Sequence, residues 1–364
     1  MSHFSVLVIT PKKPTKTSLA AILQPWHEFE CTGVEDRYVI DVDVTDQVVE
    51  LWGEAKDVVR RPDGSIASRY SNEFYTKSSG TKDFMGKPEM EFELPAGCTL
   101  ETVSQAVLSL KTGETQEEFA REYGGWVKRG DRYYDRTNPN KKWDWWMVGG
   151  RWTGHFKPGY DPDQDPTKRE TCWLCGGTGT RLDMISANGC NGCRGSGVKT
   201  TWPTQWKAMD SDQLPLGDIP VAELRAHAEQ EAAKKFDLFE RLRAGRTIKT
   251  WAEVQAEYLN DSNTGRTAYH AQPALQDIRK AKEFEWLEPE RYACDRATFI
   301  KRAGDGAMST FAVVKDGQWF ERGKMGWWAC VSGEKDKDAW NEEFAKLIDG
   351  LPPTTWLTVV DCHI

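Results

Sequence analysis

Two pairs of closely spaced cysteines constrain the fold of this 364-residue chain more than any other feature. Cys172 and Cys175 form the first pair, Cys190 and Cys193 form the second, and the segment 176–189 separates them. Because only two residues lie between the cysteines of a pair, one tight turn can direct both sulfurs at the same tetrahedral ion. The pattern therefore predicts a closed site of four thiolates that holds one structural Zn²⁺ and folds the loop around it.

Glycines after each pair support this prediction. The two halves read CWLCGGTG and CNGCRGSG, and glycine lets the backbone turn so that N–H groups face the sulfurs and offset their negative charge. Two alternatives stay open from the sequence: a metal-free pair of glycine-rich turns, and a redox dithiol. A disulfide framework is disfavoured, because we expect a cytoplasmic chain whose thiols stay reduced.

Both halves resemble the C-x-x-C-x-G-x-G repeat of the DnaJ cysteine-rich domain, which some phage antitermination proteins also contain. The resemblance covers only the segment 172–197. DnaJ has four such repeats and two zinc ions, so the two repeats here imply one zinc. The sequence also contains no His-Pro-Asp signature of a J-domain. The resemblance therefore implies a zinc-binding segment and does not imply chaperone function.

Charge and composition narrow the classes of partner. Lys and Arg number 48 and Asp and Glu number 56, so the formal net charge is −8, which argues against a dedicated duplex-DNA binder. No apolar run approaches the roughly 20 residues that cross a bilayer, and the apolar segment 4–9 is too short for the core of a signal peptide. We therefore expect a cytoplasmic protein with no membrane partner. Its 17 tryptophans supply large apolar rings for the core.

Strand-like segments lie at both ends of the chain. Residues 3–10 and 354–364 are rich in β-branched side chains, whereas helical periodicity dominates from about 221 to 302. This pattern predicts an α+β fold with a mixed or antiparallel sheet that both termini build together with packed helices. The expected divisions are an α+β core (1–156 and 306–364), a zinc-binding insertion with linkers (157–205) and a helical segment (206–305).

Local signals mark individual elements. Thr115 with Glu118 forms a capping box that predicts the start of a helix. Asp316-Gly317 between two short apolar runs predicts a tight hairpin. Both signals depend on a few neighbouring residues and say nothing about which distant segments pair.

Alternation along the two terminal strands predicts a polar cluster. Asp361 and His363 share one face of a regular strand, and His3 begins the first strand. If these strands are neighbours, the three side chains converge at one end of the sheet. Two imidazoles and a carboxylate suit a metal ion, or a general base that Asp361 orients. The alternative is that His3 and His363 are solvated and mobile, as side chains near chain ends often are.

A tryptophan-rich motif, WDWWMVGGRW, occupies residues 143–152. Gly149 and Gly150 allow a sharp turn directly before Arg151, where backbone N–H groups and a guanidinium can hold an anionic group. The alternative is that Arg151 pairs with a buried carboxylate such as Asp144. Both interpretations predict that Arg151 lies close to an anion.

Four segments, HFSVLVI, NPNKKWDWWMVGGRW, GKMGWWA and VVDCHI, resemble in this order a family of phage and prophage proteins. The match covers roughly residues 1–155 and 306–364, so the cysteine segment between them resembles an insertion. The resemblance implies a phage-type setting in the host cytoplasm and no particular reaction. The candidate residues within matching motifs are His3, Asp144, Arg151, Asp361 and His363.

Three functions are compatible with these motifs. A closed zinc site, a negative net charge and the lack of a recognised catalytic motif favour an accessory protein that binds or modulates a host or viral protein. The second is an enzyme for a small phosphorylated or nucleotide-like substrate. Its Arg151 would hold the anion, and His363 would serve as base or metal ligand beside Asp361 and His3.

The third function is single-stranded nucleic-acid binding through the zinc module. In this case Trp173, Trp202 and Trp206 would stack on unpaired bases. Neither this function nor the other two indicates an oligomeric state.

Overall fold

The computed structural model describes residues 2–82, 88–181, 189–203, 206–258, 262–284, 287–326 and 330–364. The chain forms two compact units. Unit 1 consists of Met1–His27 and Lys142–Ile364, and unit 2 consists of Glu28–Lys141. The cysteine segment and the helical segment thus belong to the same unit as both terminal strands, and the finer boundaries at 157, 206 and 306 stay predictions. Trp327 and Trp328 of the GKMGWWA motif lie outside the described residues.

The chain passes through unit 1, then unit 2, and then returns to unit 1. The first pass forms strand β1 (His3–Thr10) and helix α1 (Lys16–Leu23). Unit 2 then forms, in chain order, α2 (Phe29–Thr32), β2 (Ile40–Asp43), α3 (Thr45–Gly53), β3 (Ala55–Arg60), β4 (Ile66–Ser68), β5 (Lys77–Lys82), β6 (Pro88–Glu91), β7 (Thr99–Ser104), α4 (Gln105–Thr112), α5 (Gln116–Gly124), β8 (Val127–Arg129) and β9 (Arg132–Thr137).

The second pass through unit 1 begins beside the tryptophan-rich motif. Its elements are β10 (Trp145–Val148), β11 (Arg169–Thr171), β12 (Val198–Thr200), β13 (Gln213–Pro215), α6 (Val221–Arg243), α7 (Trp251–Glu257), α8 (Ser262–His270), α9 (Pro273–Arg279), α10 (Arg296–Asp305), β14 (Ala312–Lys315), β15 (Gln318–Glu321), β16 (Lys324–Met325), β17 (Val331–Ser332), α11 (Lys337–Asp349) and β18 (Trp356–His363). Among the described residues, none of these helices combines the length and the apolar character that crossing a bilayer requires.

A six-stranded mixed sheet organises unit 1. Its order is β10-β18-β1-β14-β15, and β13 also pairs with β18. Strand β1 runs antiparallel to β18 and parallel to β14. Both terminal strands therefore lie at the centre of one sheet, which confirms the predicted α+β fold with a mixed sheet built from both termini.

Both faces of β1 and β18 are covered, which explains their nearly continuous apolar sequences. On one face of the sheet, Val6 and Val360 pack against Leu19 and Leu23 of α1. The opposite face packs other residues of the same strands against α11, and this second core contains Leu7, Leu357, Val359, Trp340, Phe344 and Ile348. The layer order around the sheet is therefore helix, sheet, helix.

Smaller cores complete the two units. In unit 1, α6 packs with α9 and α10 around the aromatic rings of Phe239, Phe284 and Tyr292. In unit 2, helices α3 and α5 cover β9, with Val48 and Tyr133 in the core. The capping box predicted at the start of α5 is confirmed, and so is the Asp316-Gly317 hairpin between β14 and β15.

Leu357 tests the importance of the central sheet for stability. Its side chain is fully buried between β18 and α11, so we expect Leu357→Ala to lower the free energy of unfolding by about 2–5 kcal/mol. Urea unfolding followed by circular dichroism measures this loss. The control is Phe320→Ala on β15, which removes a half-exposed ring and should cost less than about 1 kcal/mol. Equal losses in the two variants would contradict the assigned core.

Candidate functional site

The four cysteines lie in a small module that a two-stranded hairpin closes. Strands β11 and β12 pair antiparallel, with Arg169 opposite Thr200 and Thr171 opposite Val198. This pairing brings together the two ends of the cysteine-rich segment. We refer to residues 168–206 as the cysteine module; within it, residues 182–188, 204 and 205 lie outside the described residues.

The sulfurs of this module converge on one point. Cys172 Sγ lies 3.8 Å from Cys190 Sγ, and Cys175 Sγ lies 3.7 Å from Cys193 Sγ. All four sulfurs lie within 4.8 Å of one another. Metal–sulfur distances of about 2.3 Å in a tetrahedron correspond to sulfur–sulfur distances of about 3.8 Å. The predicted cluster is therefore present, and its geometry is compatible with a metal site.

Backbone donors face the sulfurs, as the glycine pattern predicts. Gly179 N–H donates to Cys175 Sγ at 3.3 Å, and Gly197 N–H donates to Cys193 Sγ at 3.2 Å. Burial opposes ionisation of Cys175, but the donor at Gly179 and the neighbouring Cys193 outweigh it and lower the pKa of Cys175 to about 7. Burial raises the pKa of Cys172 to about 11. A divalent ion would supply the positive charge that four thiolates need.

The tryptophans of the cysteine module differ in exposure. Trp173 and Trp202 are 71% and 65% exposed, whereas Trp206 is buried. The Trp206 indole N–H donates to Thr201 Oγ1 at 2.8 Å, and the Lys168 ammonium lies 5.1 Å from the Trp206 ring centre. The expectation that Trp206 stacks on bases is therefore wrong, because that ring packs inside the module.

The predicted polar cluster forms at one end of the central sheet. His3 on β1 lies directly opposite His363 on β18, and their ring centres are 4.9 Å apart with the planes at 70°. Backbone hydrogen bonds between Ser2 and Ile364 fasten the two strand ends together. The side chains of His3 and His363 are only 10% and 15% exposed, so neither imidazole is the solvated side chain of the alternative interpretation.

Each imidazole has its own carboxylate. His3 Nδ1 lies 2.8 Å from Asp361 Oδ1, and His363 Nδ1 lies 2.7 Å from Asp144 Oδ1. An ionised carboxylate only accepts hydrogen bonds, so Nδ1 carries the proton in both rings. The role of Asp144 in orienting His363 could not be predicted from the sequence. The pairing depends on β10 lying beside β18, and no local pattern indicates which distant strands are neighbours.

Arg151 contacts the cluster through its backbone. Its N–H donates to Asp361 Oδ2 at 3.0 Å, while its side chain is exposed. Asp144 bonds His363 and not Arg151, so the structure does not contain the predicted Arg151–Asp144 pair. The predicted catalytic and anion-binding roles of His3, Arg151, Asp361 and His363 stay predictions.

The two glycines before Arg151 run between two buried carboxylates. Gly149 and Gly150 both have positive φ angles, +73° and +54°. A Cβ atom at Gly150 would lie 2.6 Å from Asp361 Cβ, and one at Gly149 would collide with Asp212. Asp212 is fully buried and accepts hydrogen bonds from the Thr153 hydroxyl and from two backbone N–H groups. Only glycine therefore lets this loop approach Asp361 closely enough to donate to it.

Gly150→Ala tests this close approach. We expect it to destabilise unit 1 by at least about 2 kcal/mol more than the matched control Gly317→Ala, because both glycines have positive φ but only Gly150 has no room for a Cβ. Urea unfolding of the two variants gives the difference. Equal destabilisation would show that the loop tolerates a side chain beside Asp361.

Metal content tests the cysteine cluster. We expect one bound transition-metal ion per chain in protein purified without chelators, and its loss in Cys172→Ser, because the remaining three ligands bind far more weakly. Elemental analysis with native mass spectrometry measures both. The control Cys330→Ser alters an exposed cysteine of unit 1 that lies outside the cysteine module and should retain the ion. A metal-free wild-type chain would contradict the metal site.

Comparisons of the chain with protein-family models, with curated proteins and with solved structures find no match. The resemblance to a phage and prophage family therefore stays a prediction. The function must be inferred from the geometry of the cysteine module and of the histidine–aspartate cluster.

Proposed function

We propose that this protein is a phage-type accessory factor that binds a host or viral protein through its cysteine module, and that one structural Zn²⁺ holds the module together. Zinc is the ion that a closed tetrahedral set of four thiolates most often takes. Such a site has no open coordination position, so the ion serves folding and not catalysis. Its role here is to keep the two exposed tryptophans in fixed positions.

The observation that most supports this proposal is the exposure of Trp173 and Trp202. By contrast, Trp26, Trp143 and Trp340 of unit 1 are at most 8% exposed, and Trp145 is 37% exposed. Large apolar rings held in water on a rigid module are unfavourable unless a partner covers them. Tryptophan is also among the residues that contribute most to the binding energy of protein interfaces.

The charges around these rings favour a protein over a nucleic acid. Lys199, whose ammonium lies 5.4 Å from the Trp173 ring centre, also pairs with Glu170 at 3.1 Å. Arg169 donates to the backbone carbonyl of Asp163, and the segment 161–165 before the module contains three aspartates. A polyanion would meet paired cations and a group of carboxylates there, within a chain of net charge −8.

Site-specific crosslinking followed by measured affinity tests the proposal. A photoreactive amino acid in place of Trp173 should give a protein adduct in host cells, whereas one in place of Tyr70, which is 73% exposed in unit 2, should not. With the identified partner purified, we expect Trp173→Ala with Trp202→Ala to weaken binding at least tenfold. Each truncated anchor removes more than about 1 kcal/mol.

Matched controls separate the alternatives. Tyr70→Ala removes an equally exposed ring and should leave the affinity unchanged. Unchanged affinity in the double tryptophan variant would contradict the proposal. Salt-sensitive binding of a single-stranded oligonucleotide that the double variant loses would instead favour the nucleic-acid function.

A further inference from the structure

We infer that the histidine–aspartate cluster is an acid–base centre that cleaves single-stranded RNA. The inference rests on His3, His363, Asp361 and Asp144, with Arg151 and Trp145 at its edge. It uses none of the residues of the cysteine module. Its outcome is therefore independent of the proposed binding function.

The two imidazoles are prepared for proton transfer at the same place. Both use Nδ1 to bond a carboxylate, so both leave Nε2 as the atom that takes up or gives up a proton. Their ring centres are 4.9 Å apart, which is close enough for both to reach one small reacting group. In the proposed reaction one ring accepts a proton as general base and the other donates one as general acid.

The carboxylates act as positioning groups. Asp361 is 1% exposed and is held from the other side by the Arg151 N–H at 3.0 Å. Gly150 packs directly against Asp361, and this close contact holds the Arg151 N–H in place. A carboxylate held in this way restricts its imidazole to one tautomer and one orientation, which is what a general acid or base requires.

One nitrogen of the cluster has no partner. His363 Nε2 is shielded from solvent and makes no hydrogen bond to any described residue. Leaving a buried polar atom unbonded is unfavourable, so we infer that a bound molecule completes the hydrogen bonding of this nitrogen. Trp145, which is 37% exposed, lies beside the imidazole pair, edge-on and 5.9 Å from the His3 ring.

The chemistry of the surrounding groups identifies the substrate class. Cys362 cannot serve as a nucleophile for the pair, because it lies in the opposite core and burial raises its pKa well above the usual range. The substrate must therefore bring its own nucleophile. The exposed guanidinium of Arg151 suits a phosphate, and the exposed ring of Trp145 suits an unpaired base. A phosphodiester with a neighbouring hydroxyl and a flat base is a ribonucleotide linkage.

The reaction balances without a further reactant. The neutral imidazole takes the proton of the ribose 2′-hydroxyl, and O2′ forms a bond to phosphorus. The bond from phosphorus to O5′ breaks, and the protonated imidazole gives its proton to O5′. The products are a 2′,3′-cyclic phosphate and a free 5′-hydroxyl, and the two rings exchange protons with water before the next cycle.

Cleavage of a fluorescent single-stranded oligoribonucleotide by the full-length protein tests the inference. We expect a bell-shaped dependence of kcat/KM on pH between 5 and 8, and a product that mass spectrometry identifies as a 2′,3′-cyclic phosphate. The same oligonucleotide with 2′-deoxyribose at the cleaved position should stay intact. No cleavage of RNA by the wild-type chain, or cleavage of the deoxy substrate, would overturn the inference.

Substitutions show which residue accepts and which residue donates a proton in the reaction. His3→Ala and His363→Ala should each lower kcat at least 100-fold, and each should remove one limb of the pH profile. Asp361→Asn and Asp144→Asn should lower kcat less and shift the pH profile, since they act through the imidazoles. Arg151→Ala should mainly raise KM. Activity that persists in both histidine variants would exclude the cluster as the catalytic centre.

Two controls show whether a contaminating nuclease or misfolding of the variants accounts for the result. His227→Ala removes an exposed histidine of α6 and, purified in the same way, should retain full activity. Thermal unfolding shows whether the histidine variants are folded. If alanine destabilises them, His3→Asn and His363→Asn retain a polar side chain, and equal activity of these variants with the wild-type chain would equally refute the assignment.

Discussion

The antiparallel pairing of β1 with β18 is the interaction on which unit 1 depends. It buries two apolar strands between α1 on one face and α11 on the other. The register of this pairing also sets His3 opposite His363. A shift by a single residue would turn the apolar side chains toward the wrong layer and separate the two imidazoles. The stability of the sheet and the geometry of the polar cluster are thus fixed by the same hydrogen bonds.

Polar groups at the end of this sheet are satisfied by the loop that follows β10. Glycine at positions 149 and 150 lets the Arg151 N–H reach Asp361 and brings the loop against Asp212. The cysteine module uses glycine in the same physical way, since Gly179 and Gly197 present N–H groups to thiol sulfurs. In both places the absence of a side chain lets a backbone N–H donate to a buried acceptor.

Local and periodic features could be predicted from the sequence. The cysteine spacing indicated the sulfur cluster, Thr115 with Glu118 indicated the start of α5, and alternation placed Asp361 and His363 on one face. The pairing of Asp144 with His363, the burial of Asp212 and the separate unit 28–141 could not be predicted. Each of these depends on which distant segments become neighbours, and residue periodicity carries no information about that choice.

The order of the segments along the chain has a consequence for how the molecule forms. Unit 2 is one continuous stretch, Glu28–Lys141, whereas the central sheet of unit 1 joins strands that lie more than 300 residues apart in the chain. Closing so long a loop is entropically unfavourable, and β1 can pair with β18 only after β18 has been synthesised. During synthesis, unit 2 can therefore fold before β18 has been made, and the histidine pair forms only after β18 joins β1.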